Sequence, residues 1–262
     1  MIVQINEKNF QQSGVAGEHM DFGMILDDAL AYTKQGVFEN SDRWLKLIIA
    51  ILCLGIPMNG YVMRIYRSAQ PAPEVDNWGS LFVDGLKLMI VGLVYAIPIF
   101  ILYAITFGSI VLAALSGSTG PMGSAMLSEW TPNIGLVLLM YLVEIVLGLI
   151  VPIASIRFAR TNSFSEAINI TAIIEYIGKI GWINYSIALI LIALVIGIPI
   201  CILVLGFILL GGIVLFLFKV STIAIIGFII ALVIIILTLA PLFAVFQARY
   251  MTQVYDSASP EG

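Results

Sequence analysis

The stretch WINYSIALILIALVIGIPICILVLGFILLGGIVLFLFKVSTIAIIGFIIALVIIILTLAPLFAVF, residues 182–246, carries one formal charge, Lys219, in 65 positions. Crossing the hydrocarbon core of a bilayer takes about 20 apolar residues in a helix, so this run supplies two crossings folded as a hairpin. A core helix of a water-soluble domain shows a polar stripe along its length, and none is present here. With no water to satisfy its amides, such a segment must close its own hydrogen bonds as α-helix. Lys219 then marks the far tip of the hairpin, its ammonium snorkelling to the surface.

The remainder of the chain has the same character. Hydrophobic residues make up 61% of it and charged residues 11%, against roughly 25% charged in ordinary soluble domains. A net charge of −4 with twelve scattered basic residues excludes nucleic acid as a partner, because phosphate binding needs clustered Lys and Arg. Cys53 and Cys201 both sit in apolar runs and read as small buried hydrophobes, not as a disulfide. His19 stands alone in a polar segment, and no Cys, His or carboxylate spacing suggests a metal site, so no cofactor is expected. Residues 1–43 lack the apolar core of a signal peptide, which leaves the first span to direct insertion.

Working outward, the expected fold is all-α: a polytopic transmembrane helix bundle of about five spans, at 44–63, 88–115, 133–156, 182–207 and 221–246. Four spans plus a re-entrant segment, or six spans, are the alternatives. Residues 20–255 form a single membrane domain, preceded by a disordered extension 1–19 and followed by a tail, 256–262. Pro57 should kink the first span by removing a backbone donor. Two interfacial amphipathic helices are expected. The first, 21–35, places Phe22, Ile25, Leu26, Ala29 and Leu30 on one face; the second covers 163–179. Residues 116–124 are small, uncharged and turn-rich, as a translocated loop is. Ile97-Pro-Ile-Phe-Ile-Leu102 is echoed by Ile198-Pro-Ile-Cys-Ile-Leu203, which suggests two parallel units, although shared composition accounts for the similarity equally well.

If Arg64, Arg67, Lys87, Arg157, Arg160, Lys179 and Arg249 are cytoplasmic, the Lys- and Arg-free loop 113–132 lies outside, as positive-inside asymmetry requires. Five spans then put the N-terminus outside together with Arg43 and Lys46, which fits that asymmetry poorly. Trp44, Trp78, Trp130 and Trp182 fall near span ends, where amphipathic rings prefer to sit.

Met20-Asp-Phe-Gly23, Gly60-Tyr-Val-Met-Arg-Ile-Tyr-Arg67, the run from Pro73 to Gly79, Asp84-Gly-Leu-Lys87 and the closing Arg249-Tyr250 with Tyr255 together resemble a mostly archaeal family of multi-pass membrane proteins, domain of unknown function 4013. The likeness covers 20–255. It implies a cell-membrane location and brings no catalytic residues with it.

Glu144 is the first candidate site. It lies eleven residues after Asn133 and thirteen before Arg157, close to the bilayer midplane, where an ionised carboxylate costs at least a few kcal/mol and faces a bundle interior or a hydrated cavity. One reading is a proton- or cation-coupling carboxylate. The other is a protonated acid bonded to a carbonyl freed by Pro98 or Pro199, or to a tyrosine such as Tyr95 or Tyr103, gluing helices together. Arg64 and Arg67 are candidates for contact with anionic lipid or a partner protein, or simply anchor the helix. Asp84 and Lys87, one turn apart, read as a solvated pair or as a gating or headgroup contact. No paired aspartates, His-Glu-x-x-His helix or Ser/His arrangement is present, so an enzyme is not expected. Two function classes follow: a non-catalytic membrane protein organising lipids, copies of itself or a partner complex, and a small transporter or channel using Glu144.

Overall fold

The computed structural model describes residues 20–115, 133–218 and 222–258. The expected extension 1–19, the loop with Trp130 and the Lys219 hairpin tip lie outside the described residues.

The described chain is helical throughout. Helix α1 spans Phe22–Thr33, its start fixed by the Asp21 carboxylate accepting from the Met24 amide at 3.0 Å, the usual way an orphan N–H is satisfied. It runs on as a π-helical turn, Lys34–Phe38. Asn40 then caps α2, Ser41–Leu52, and α3 spans Ile56–Tyr66. Four long helices follow: α4, Trp78–Leu115; α5, Ile134–Thr161; α8, Trp182–Phe218; and α9, Thr222–Asp256. Between the two hairpins lie α6, Phe164–Ala167, and α7, Ile170–Ile180, the latter capped by Asn169. The second amphipathic segment is thus broken at Ile168 and Asn169. In α1, Ala29 is buried and Phe22, Ile25 and Leu26 pack against the same core, as the spacing predicts, while Leu30 is exposed and Tyr32 and Thr33 continue the inward face in its place.

The five-span expectation is not confirmed: four described helices are long and apolar enough to cross a membrane, at Trp78–Leu112, Ile134–Thr161, Trp182–Gly212 and Ile226–Asp256. The segment 44–63 is instead a helical hairpin. Leu54 and Gly55 both adopt left-handed backbone, φ 59° and 68°, which ends α2 by reversing the chain. Pro57 falls in the first turn of α3, where its missing donor matters little, so it starts a helix and does not kink one. At 1.5 Å per residue, α2 is about 18 Å long, too short for a core of about 30 Å. Both ends of the hairpin meet the same connection, since Arg43 pairs with Glu74 and Arg64 with Asp76. The chain therefore enters and leaves this hairpin on one side.

Helices α3 and α4 pack closely because glycine faces backbone at both crossings. A Cβ on Gly60 would lie 2.0 Å from the Leu81 carbonyl oxygen, and one on Gly85 would lie 1.8 Å from that of Ile56. Burial concentrates at one end of the long helices: Leu81, Leu88 and Val91 in α4, Ile153 to Ala159 in α5, Tyr185 and Ala188 in α8, and Val245 to Tyr255 in α9. Four spans bring the start of α4, the end of α5, the start of α8 and the end of α9 to that same end.

Candidate functional site

At the packed end each of the six arginines of the chain is held by a carboxylate. Arg43, on α2, pairs with Glu74 and donates to the Gly36 carbonyl at 3.0 Å. Arg64 reaches the Asp76 carboxylate at 2.8 Å, the carbonyls of Glu74 and Asp76, and Ser80 Oγ at 2.9 Å. Arg67 joins Asp84 at 2.8 Å and donates to the Ala159 carbonyl. Arg157 pairs with Glu166. Arg160 pairs with Asp256 at 2.6 Å, donates to the Tyr66 carbonyl and lies over the Tyr255 ring. Arg249, with its side chain 3% exposed, bonds Asp28 at 2.7 Å and lies 4.9 Å from the Tyr32 ring centroid; the Gln70 amide oxygen also accepts from it. These bonds connect α1, α2, α3, α4, α5, α6 and α9 into one polar cap.

Tyrosine hydroxyls reinforce the cap by donating to backbone carbonyls of other segments: Tyr32 to Ala69, Tyr61 to Pro73, Tyr95 to Ala167, Tyr176 to Tyr255, Tyr185 to Leu149 and Tyr250 to Ala188. Burial pushes the Tyr32 phenol up to about 12, against the opposing pull of Arg249 and Arg43, and Tyr66 likewise to about 12; desolvation disfavours the phenolate. Two adjoining cavities sit in the cap. One, of about 590 Å³, is lined by Gln35, Asn40, Arg43 and Glu74 among others; the second, of about 300 Å³, lies between Asp28, Tyr32, Gln70 and Arg249. Among the described residues, no three of His, Cys, Asp and Glu converge as metal ligands would.

Glu144 lies away from the cap. Its Oε1 accepts from the Tyr103 hydroxyl at 2.9 Å, joining α5 to α4. Both residues stand near the middle of the apolar segments 88–115 and 133–156, so the bond spans the hairpin at mid-depth. The sequence had named Tyr103 as one partner among several; the structure selects it, while Tyr95 bonds Ala167 instead. Arg64, in the last turn of α3, and Arg67, its C-cap, are brought together with their donors turned to the protein. Asp84 and Lys87 are not paired with each other: Asp84 serves Arg67, and Lys87 makes no ion pair among the described residues. Sequence reasoning missed all six arginine pairs: Arg157 and Glu166 lie on successive helices, and the partners of the other five are set by the tertiary fold, not by helical spacing. The available signal was numerical: the polar segments at this end supply enough acids to neutralise every arginine.

Residues 45–210 match the family described as Protein of unknown function (DUF4013). The chain belongs to this family. The DUF4013 match opens in α2 and ends in α8, a narrower reach than the 20–255 expected. It takes in the α3–α4 glycine crossing, the Tyr103–Glu144 bond and four of the six arginines, with Arg43 and Arg249 outside it. No curated protein and no solved structure matches the chain.

Proposed function

We propose that this DUF4013 protein is a non-catalytic, multi-pass component of the cell membrane that organises lipids or a membrane complex around its spans. The observation that carries the reading is the contrast between the two parts of the molecule. The cap consumes its six arginines in internal pairs, while the spans are left open: between 6% and 17% of the most apolar window of each long helix is buried. Apolar surface on that scale calls for lipid chains or other membrane helices as its solvent.

Helices α1 and α7 support an interfacial placement of the cap. In α7, Ile173, Ile177 and Ile180 turn inward, while Glu175 and Lys179 form an exposed pair, the pattern of a helix lying in the headgroup plane. The arginine-rich cap favours the cytoplasmic side by positive-inside asymmetry. With four spans, Arg43 and Lys46 join the other cations there, which removes the poor fit that five spans gave.

The Tyr103–Glu144 bond favours helix gluing over ion coupling. The test is proton and cation flux in liposomes carrying wild type or Glu144→Gln. The organising role predicts no flux above protein-free liposomes from either; flux that the substitution abolishes would establish a transporter instead.

A further inference from the structure

The hydrogen bond from Tyr103 satisfies only one oxygen of Glu144. Among the described residues Oε2 has no partner, and Glu144 is half-buried, so part of its carboxyl faces outward at mid-depth. Tyr141, one turn earlier on α5, is 56% exposed, and its hydroxyl makes no hydrogen bond among the described residues. Residues three apart share a helix face. This face therefore presents one free carboxyl oxygen and one free phenol hydroxyl where hydrocarbon offers no partner to either, an arrangement membranes tolerate only at a cost of several kcal/mol per unsatisfied group.

Resting on the organising role above, we propose that α5 is the contact face of a symmetric dimer of this chain, in which the free carboxyl oxygen of Glu144 hydrogen-bonds the hydroxyl of the partner subunit's Tyr141, and Tyr141 bonds the partner subunit's Glu144 in return. Two further features favour a second copy over an unrelated helix. First, the polar groups are self-complementary. In a dimer whose two-fold axis runs along the membrane normal, like residues lie at like depth, and Tyr141 and Glu144 differ by only about 4.5 Å along the helix, within reach of a tyrosine side chain. Second, the surrounding surface is shaped for close approach. Leu138, Tyr141, Leu142 and Ile145 are all exposed at alternating spacings of three and one along one side, and Gly148, four residues beyond Glu144, is exposed with open space where a Cβ would stand. A glycine there lets a second backbone come near, as small residues do at membrane helix interfaces.

The experiment is single-molecule photobleaching of the labelled full-length chain in liposomes over a series of protein-to-lipid ratios. Wild type is expected to bleach in two steps and to shift to one step on dilution. Tyr141→Phe removes two symmetric hydroxyls while leaving the Tyr103–Glu144 bond intact, and should weaken association about tenfold. Gly148→Leu should abolish it by holding the helices apart. Monomers at every density, or Tyr141→Phe dimerising as wild type does, would overturn the proposal. A monomer without flux overturns the dimer alone. Flux lost in Glu144→Gln overturns the organising role, whatever the bleaching shows.

Discussion

Replacing Asp28 with Asn removes one charge and almost no volume, and it strikes the most deeply buried ion pair of the cap. The Asp28 carboxylate accepts from Arg249 Nε at 2.7 Å and from Gln253 Nε2 at 2.9 Å. Without that charge, the Arg249 guanidinium, 3% exposed, faces only neutral groups: the substituted amide oxygen, the Gln70 amide and the Tyr32 ring. Removing one member of a fully buried pair costs about 3–5 kcal/mol. Asp28 is itself 42% exposed, so solvent screens the pair and the expected loss falls to about 2 kcal/mol. The reverse change, Arg249→Met, strands a carboxylate that can rehydrate through its open side, and should cost about 1 kcal/mol. The double substitution leaves no buried charge and should be more stable than Asp28→Asn alone. Reversible unfolding in mixed detergent micelles measures all three. Arg249→Met proving the more damaging single change, or the two losses adding in the double variant, would refute the reasoning.

Gly60→Ala and Gly85→Ala should each destabilise by about 2 kcal/mol or more, because the new Cβ meets backbone that no rotamer can move. Gly92→Ala, in open space on the same helix as Gly85, should be neutral or stabilise by up to about 1 kcal/mol through helix propensity; the same unfolding assay distinguishes them. Tyr32 is a phenol whose folded value is raised, from 10.0 to about 12, so the native state holds the proton more tightly than the unfolded chain. Its contribution is complete below pH 10.0 and is lost as pH rises to about 12; unfolding at stepped alkaline pH, with Tyr32→Phe as the reference, should show the loss only when the hydroxyl is present.

The apolar run 182–246 disclosed the membrane fold by itself, because only helices and closed barrels satisfy every amide in hydrocarbon and the run lacks the apolar–polar alternation of barrel strands. The hairpin at 44–63 fits the alternative of four spans plus a re-entrant segment better than five spans, and the sequence left the two open for a physical reason. Pro98, Pro152, Pro199 and Pro241 are all accommodated inside helices of 28 to 38 residues, so a proline in an apolar run does not by itself stop a crossing. What distinguishes Pro57 is the left-handed Leu54–Gly55 pair just before it, and a non-glycine residue at positive φ leaves no trace in composition. Glu144 could be placed at mid-depth by counting from Asn133 and Arg157, and Tyr103 could be named among its partners. The cap could not be read in this way. Arg249 and Asp28 lie at opposite ends of the chain, and only the return of α9 to α1 brings them together. The nearer pair Asp84 and Lys87, suggested by helical spacing, loses to Arg67 arriving from α3.

The central structural claim is that the chain crosses the membrane four times and that the 41–66 hairpin returns to the side it left. Single cysteines at Glu39 and Ser68, in a chain with Cys53 and Cys201 replaced by serine, flank that hairpin and respond to a membrane-impermeant thiol reagent applied to sealed, sided vesicles. Both positions are expected to label from one and the same side. Labelling of Glu39→Cys from one side and Ser68→Cys from the other would make the hairpin a true crossing and contradict the account.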